Sequence, residues 1–204
     1  NKKKFILAKQ SFNEALKFAP ERVSILENLA LVYFIINEFE DSEIILNKIG
    51  TLGEHTNKSF EMMINTLRKQ GKILELKNFI EKELKKKKLN QKYLVLKEFL
   101  YPDFFNNNKE ITLSRKNLIN SIEKLEKVEN IKLNLDTQII DPPIFNLSYD
   151  QYENLEINKR IVNLYRKFYP ELNYLNTFKK SNNKIRIGFA SEYFTTHTIG
   201  KLYI

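Results

Sequence analysis

The chain repeats itself every 34 residues. Ala8, Phe12 and Ala15 align with Ser42, Leu46 and Ile49, and these in turn with Leu76, Ile80 and Glu83. Leu26, Leu29, Ala30 and Tyr33 align in the same way with Phe60, Met63, Ile64 and Leu67. Asn37 falls on Gly71, and Phe39 on Ile73. Within a unit the apolar places follow the spacing of an amphipathic helix. Asn and Gly are the residues that best tolerate the left-handed backbone closing a helix, so each unit reads as helix, turn, helix. Pro20 stands close to the start of a helix, where a missing N–H costs little. A two-helix unit cannot bury its apolar stripe alone and must stack on its neighbours. Only five glycines and five prolines occur in 204 residues. That scarcity favours long helices over a turn-rich β fold, and the expected fold class is mostly α.

Composition excludes several chemistries. Cysteine is absent, which rules out disulfides, thiolate metal sites and a cysteine nucleophile. His55 and His197 are the only histidines, too few for a histidine-rich metal site, and no metal is expected. No apolar run approaches the ~18–20 residues that a bilayer requires. Phe5–Ala8 is too short for the apolar core of a signal peptide, and the expectation is a soluble, cytoplasmic chain. The formal charge is +9. Lys85–Lys88 reads as a solvated helix end, where cations suit the dipole. No interleaved aromatics or groove-reading motif accompany it, so nucleic acid is not the expected partner.

Further along, Tyr93, Leu96 and Leu100 share one face of a segment over 89–101 that ends before Pro102. Leu118, Ile122 and Leu125 place a helix over 110–129, and the aperiodic stretch 130–143 reads as an extended connector. A helix over 150–169 has Leu155, Ile161, Leu164 and Phe168 along one side. Ser148 with Gln151, or Asp150 with Glu153, could cap it, and Pro170 stops it. After a polar linker the pattern changes. Ile185–Ser191 is apolar and β-branched, as in a buried parallel strand. A polar loop over 192–198 and a helix start at Ile199 follow, the way an α/β nucleotide-binding domain opens.

The 34-residue units resemble the tetratricopeptide repeat. Ala8, Phe12, Ala15 and Pro20 match the family's second-helix pattern, and Leu26, Leu29, Ala30 and Tyr33 its first-helix pattern. The chain does not begin with Met, and its first unit holds only a second helix. A fragment is therefore expected, cut on the N-terminal side, with an exposed apolar face on residues 5–18. The resemblance covers residues 1–86.

The C-terminal stretch is similar to the opening of the catalytic region in the O-linked N-acetylglucosamine transferase and SPINDLY family. Arg186, Ile187, Gly188, Ser191, Phe194, His197 and Gly200 carry that match; Tyr193 stands where the family usually has Asp. Two upstream motifs agree in order. One is Leu100, Pro102, Phe104, Phe105, Glu110, Ile111 and Arg115; the other is Phe145, Leu147, Tyr149 and Gln151. The resemblance implies three parts: a tetratricopeptide α-solenoid over 1–86, a helical connector over 87–183, and over 184–204 the first strand of a Rossmann-like (GT-B) lobe.

It also implies an enzyme that moves a sugar from a nucleotide-sugar donor, such as UDP-N-acetylglucosamine, to Ser or Thr of a protein. No cofactor is implied beyond that substrate. A protein or peptide acceptor would lie in the repeat groove, with Asn28 as an acceptor-binding residue because its amide offers both a donor and an acceptor. His197 is the candidate catalytic residue, able to take a hydroxyl proton near neutrality. Gly188, Ser191, Phe194 and Gly200 are backbone and loop positions of the catalytic opening. This chain alone is expected to be inactive, because a single strand lacks the sheet it needs. The alternative expectation is a non-catalytic tetratricopeptide interaction scaffold.

Overall fold

Two left-handed residues set the geometry of the N-terminal half. Asn37 has φ 65°, and Gly71, one period on, has φ 70°. At each, the next amide reaches back across the helix end: Glu38 N donates to Tyr33 O at 2.9 Å, and Lys72 N to Leu67 O at 3.0 Å. Asn37 N and Gly71 N donate to Phe34 O and Arg68 O at 3.1 and 3.0 Å. Both turns are thus closed as Schellman motifs.

The computed structural model describes residues 2–53, 55–86, 90–173 and 201. Among them are nine α-helices in chain order: α1 Lys2–Phe18, α2 Val23–Ile35, α3 Phe39–Leu52, α4 Asn57–Lys69, α5 Ile73–Lys86, α6 Lys92–Glu98, α7 Asn108–Lys127, α8 Ile144–Leu147 and α9 Leu155–Phe168. A 3-10 turn follows at Pro170–Asn173. The described residues contain no strand, and the protein is mostly helical. The strand expected at Ile185–Ser191 lies outside them.

Consecutive helices from α1 to α5 pack on one another, and α2 also touches α4. Leu26, Ala30, Leu46, Ile49, Phe60 and Met63 form the first core with Ile64, Leu67, Leu76 and Ile80. The apolar stripes therefore meet as the period requires. On α1, Phe12 and Ala15 are half-buried, while Ile6, Leu7 and Phe18 are exposed.

A second core joins α6, α7 and α9 through Val95, Phe99, Leu118, Ile122, Ile161 and Phe168. Helix α6 serves both cores: Tyr93 packs into the first, Val95 into the second, and Leu96 against each.

Polar contacts repeat with the same period. Lys9 Nζ lies 2.6 Å from Glu38 Oε2. One period on, Glu43 and Lys72 pair at 2.7 Å with the signs exchanged. Glu27–Lys58 at 3.8 Å likewise recurs as Glu61–Lys92 at 2.7 Å. Equal spacing puts equivalent positions face to face, and either polarity satisfies the pair.

Two expectations, on the helices over 150–169 and 89–101, need correction. The helix over 150–169 starts at Leu155, and neither expected capping pair forms: Asp150 is committed to Arg115, and Ser148 Oγ donates back to Ile144 O at 3.2 Å. Leu155 is consequently exposed, and Ile157 takes its place in the core. The stretch 130–143 contains no helix or strand, in keeping with an extended connector, and it is packed down at defined points. Ile131, Leu133 and Ile140 are buried, Leu133 N donates to Phe168 O at 2.8 Å, and Tyr169 Oη donates to Gln138 O at 2.9 Å. Among the described residues of the segment over 89–101, the helix is confined to Lys92–Glu98.

Exchanging the charges of the first pair to match the second provides a test. Lys9→Glu and Glu38→Lys should each lower stability slightly, and the double variant should recover it. The coupling should be about 0.5 kcal/mol, modest because both side chains are only half-buried and solvent still screens the pair. Urea denaturation of the four proteins measures it.

Glu98 gives a pH test. It is buried and accepts from Ser121 Oγ at 2.6 Å. Burial works to raise its carboxyl pKa. The Ser121 hydrogen bond and the charges of Lys77, Lys97 and Lys124 outweigh that, and the group titrates below its ordinary value. A carboxylate lowered in this way contributes stability that is complete above its unfolded pKa, about 4.3, and lost as pH falls through the folded value. Urea midpoints should therefore drop on acidification below about pH 4, and less steeply in Glu98→Gln.

Candidate functional site

Arg115, the only arginine in α7, reaches into the chain that precedes α9. Its Nη1 donates to Asp150 Oδ2 at 2.6 Å and also to Asn154 Oδ1; its Nη2 donates to Glu153 O at 2.9 Å. The guanidinium lies over the Tyr152 ring, 4.9 Å from its centroid. Asp150 is fully buried at its side chain, and Arg115 nearly so. Asp150 also accepts from Tyr101 Oη at 3.3 Å and from Tyr152 N at 3.1 Å. Burial and the nearby Asp150 charge push the Tyr101 hydroxyl pKa well up, so it stays a neutral donor.

A buried pair of this kind holds only when the remaining polar groups are also satisfied. Here Asn154 contributes to that: its Oδ1 accepts from Arg115, its Nδ2 donates to Asp150 Oδ1 at 3.4 Å, and a second Nδ2 bond, to Leu147 O at 2.8 Å, holds it in place. Gln151, at φ 62°, turns the chain between Asp150 and Tyr152.

This clasp ties together two segments far apart in sequence, 100–115 and 145–154. Between them lies a groove of about 790 Å³, lined by Asp103, Phe104, Phe105, Ile111, Phe145, Asn146 and Tyr149. Phe104 is 90% exposed, Phe145 71% and Tyr149 69%. The Phe145 and Tyr149 rings stand edge to face with centroids 5.3 Å apart. Asn146 Nδ2 donates to Asp103 Oδ1 at 2.6 Å and so fixes the groove's polar edge. A smaller cavity of about 220 Å³ shares Asp103, Phe145 and Asn146 and reaches Arg68 and Asp141. Aromatic walls with a few fixed polar groups suit binding rather than bond-making. Asp150, with its oxygens occupied, is not placed to act as a base.

Of the expected site residues, His197, Gly188, Ser191, Phe194 and Gly200 lie outside the described residues. Asn28 is half-buried on α2, where its Oδ1 accepts from Lys58 Nζ at 2.9 Å. The equivalent residue one period on, Met62, is buried. His55 is buried too, with Nδ1 3.3 Å from Ser59 Oγ and its ring edge-on to Phe79. A Cβ on Gly50 would come within 2.7 Å of its Nε2. Among the described residues no group of three His, Asp or Glu side chains could hold a metal ion, and no helix is long and apolar enough to cross a membrane.

Sequence reasoning had Arg115 and the aromatic residues as motif members but missed Asp150 as the partner. The available signal was a lone arginine in a lysine helix, which favours a planar, bidentate role over a solvated one. Comparison with protein-family models, curated proteins and solved structures finds no match to this chain.

Removing one partner from a buried pair leaves the other charge uncompensated. Asp150→Ala should cost about 3–5 kcal/mol in urea denaturation. The double variant Arg115→Met/Asp150→Leu should cost less than that single change.

Proposed function

We propose that this chain belongs to a protein O-glycosyltransferase similar to the O-linked N-acetylglucosamine transferase and SPINDLY family. In this reading α1 to α5 are tetratricopeptide repeats that hold a protein acceptor. Residues 87–183 join them to the catalytic region, and Ile185–Ser191 is the first strand of its Rossmann-like lobe. The enzyme moves a sugar from a nucleotide-sugar donor, such as UDP-N-acetylglucosamine, onto an acceptor Ser or Thr. His197 hydrogen-bonds the reacting centre or takes the hydroxyl proton.

The observation that carries the reading is the ordered set of motifs from Leu100 to Gly200, together with the ion pair from Arg115 of the first upstream motif to Asp150, a non-motif residue that lies between Tyr149 and Gln151 of the second. Repeated turns at Asn37 and Gly71 support the repeat assignment.

One observation favours the second reading, a non-catalytic scaffold. The amide oxygen of Asn28 already accepts from Lys58, and the equivalent position one period on is Met62, which offers no amide to an acceptor chain. Partner capture would then rest on other surfaces.

Labelled UDP-N-acetylglucosamine and GDP-fucose, offered to the full-length protein with mixed protein acceptors, separate the two readings. Label on Ser or Thr supports transfer, and His197→Ala should reduce it at least about tenfold. Unchanged turnover in that variant removes the role of His197. Absence of label from both donors leaves the scaffold.

A further inference from the structure

We propose that the aromatic groove between the 103–105 loop and α8 is a docking site for a basic peptide segment, one that inserts an Arg or Lys side chain between Phe145, Tyr149 and Phe104. The proposal goes beyond the transferase reading and stands whether or not sugar is transferred.

Charge selects the occupant. Asp103 is the sole charged residue lining the outer groove, in a protein of formal charge +9. Among the described residues no Lys or Arg lies within ion-pair distance of Asp103, whose Oδ1 accepts only the Asn146 amide. Asp141, on the adjoining cavity, likewise has no ion-pair partner among the described residues. Arg68 also lines that inner cavity, which places an incoming cation in the outer groove, against Asp103.

Shape agrees with charge. The Phe145 and Tyr149 rings meet at 69°, offering a corner of two π faces open to solvent. A cation over such faces is attracted by the ring quadrupoles, and the attraction grows as water is displaced. A carboxylate at the edge adds a charge-assisted hydrogen bond to an ammonium or guanidinium. The aliphatic stem of Arg or Lys covers apolar surface meanwhile.

The walls are also held in place. Asn146 is bonded to Asp103 at 2.6 Å, and the Arg115–Asp150 clasp anchors the chain just beyond Tyr149. A preorganised groove loses little side-chain freedom on binding.

The test uses the 204-residue chain and fluorescein-labelled peptides. One heptapeptide has a central Arg in an alanine and leucine background. Its counterpart has citrulline, which keeps the shape and removes the charge. Fluorescence anisotropy should show the Arg peptide binding at least about fivefold tighter, with the preference reduced by added salt. Tyr149→Ala, Phe145→Ala and Asp103→Asn should each weaken it by about fivefold or more, with unchanged circular dichroism, since all three side chains are exposed.

Equal affinity for the two peptides would overturn the proposal in favour of an apolar or proline-rich segment. Full binding in Tyr149→Ala and Phe145→Ala would place the peptide elsewhere. Self-association in sedimentation that Phe104→Ala abolishes would make a second copy the occupant and would overturn it as well.

Discussion

Stacking of one helix pair on the next is the interaction on which the rest depends. An isolated pair leaves half its apolar stripe in water. Leu26 and Ala30 of α2 are covered only because Leu46 and Ile49 of α3 and Phe60 and Met63 of α4 come down on them. The left-handed turns at Asn37 and Gly71 make that possible by closing α2 and α4 with the same backbone geometry. Once that geometry is fixed, side chains about 30 residues apart meet. The recurring ion pairs are a consequence of that geometry more than a cause of it. Their exposure limits what they contribute, and the exchange of sign between Lys9–Glu38 and Glu43–Lys72 shows how little the polarity matters.

Helix α6 carries this order into the second half. It is only seven residues long, and both of its faces are used. Tyr93 closes the first core, while Val95 and Phe99 open the second. Beyond it regularity ends, and polar fixation takes over where periodic burial stops. The irregular stretch 130–143 is held by backbone bonds to α9 and by the Tyr169 hydroxyl. The two segments that shape the aromatic groove are held by Arg115 on Asp150. A desolvated pair is a poor source of net stability but a good source of uniqueness, since any other arrangement leaves both charges unsatisfied. That suits a surface where three large aromatic rings stay exposed at fixed positions.

Helices α2 to α5 and α7 were legible because their signal is local. Apolar residues at helical spacing, with Asn37 and Gly71 between, specify helix and turn without reference to the rest of the chain. The start of α9 was not legible. Asp150 and Glu153 look like ordinary capping residues, and only the approach of Arg115 from 35 residues away removes Asp150 from that duty. The burial of Ile131, Leu133 and Ile140 escaped for the same reason, since an aperiodic stretch carries no pattern saying which side chains face inward. Glu83 is a related case. It occupies a place where the earlier units have Ala15 and Ile49, and it is buried there beside Lys86 at 2.9 Å.

By itself the sequence determined the helical class, the 34-residue unit, its turns, and the residues that line the repeat core. Those follow from periodicity, which acts between near neighbours and survives in one dimension. The tertiary structure alone decided which charges pair, which loops are buried, and that Phe104, Phe145 and Tyr149 share one groove beside Asp103. These depend on contacts between segments about 40 residues apart, whose meeting is set by how the helices pack and not by any spacing in the chain.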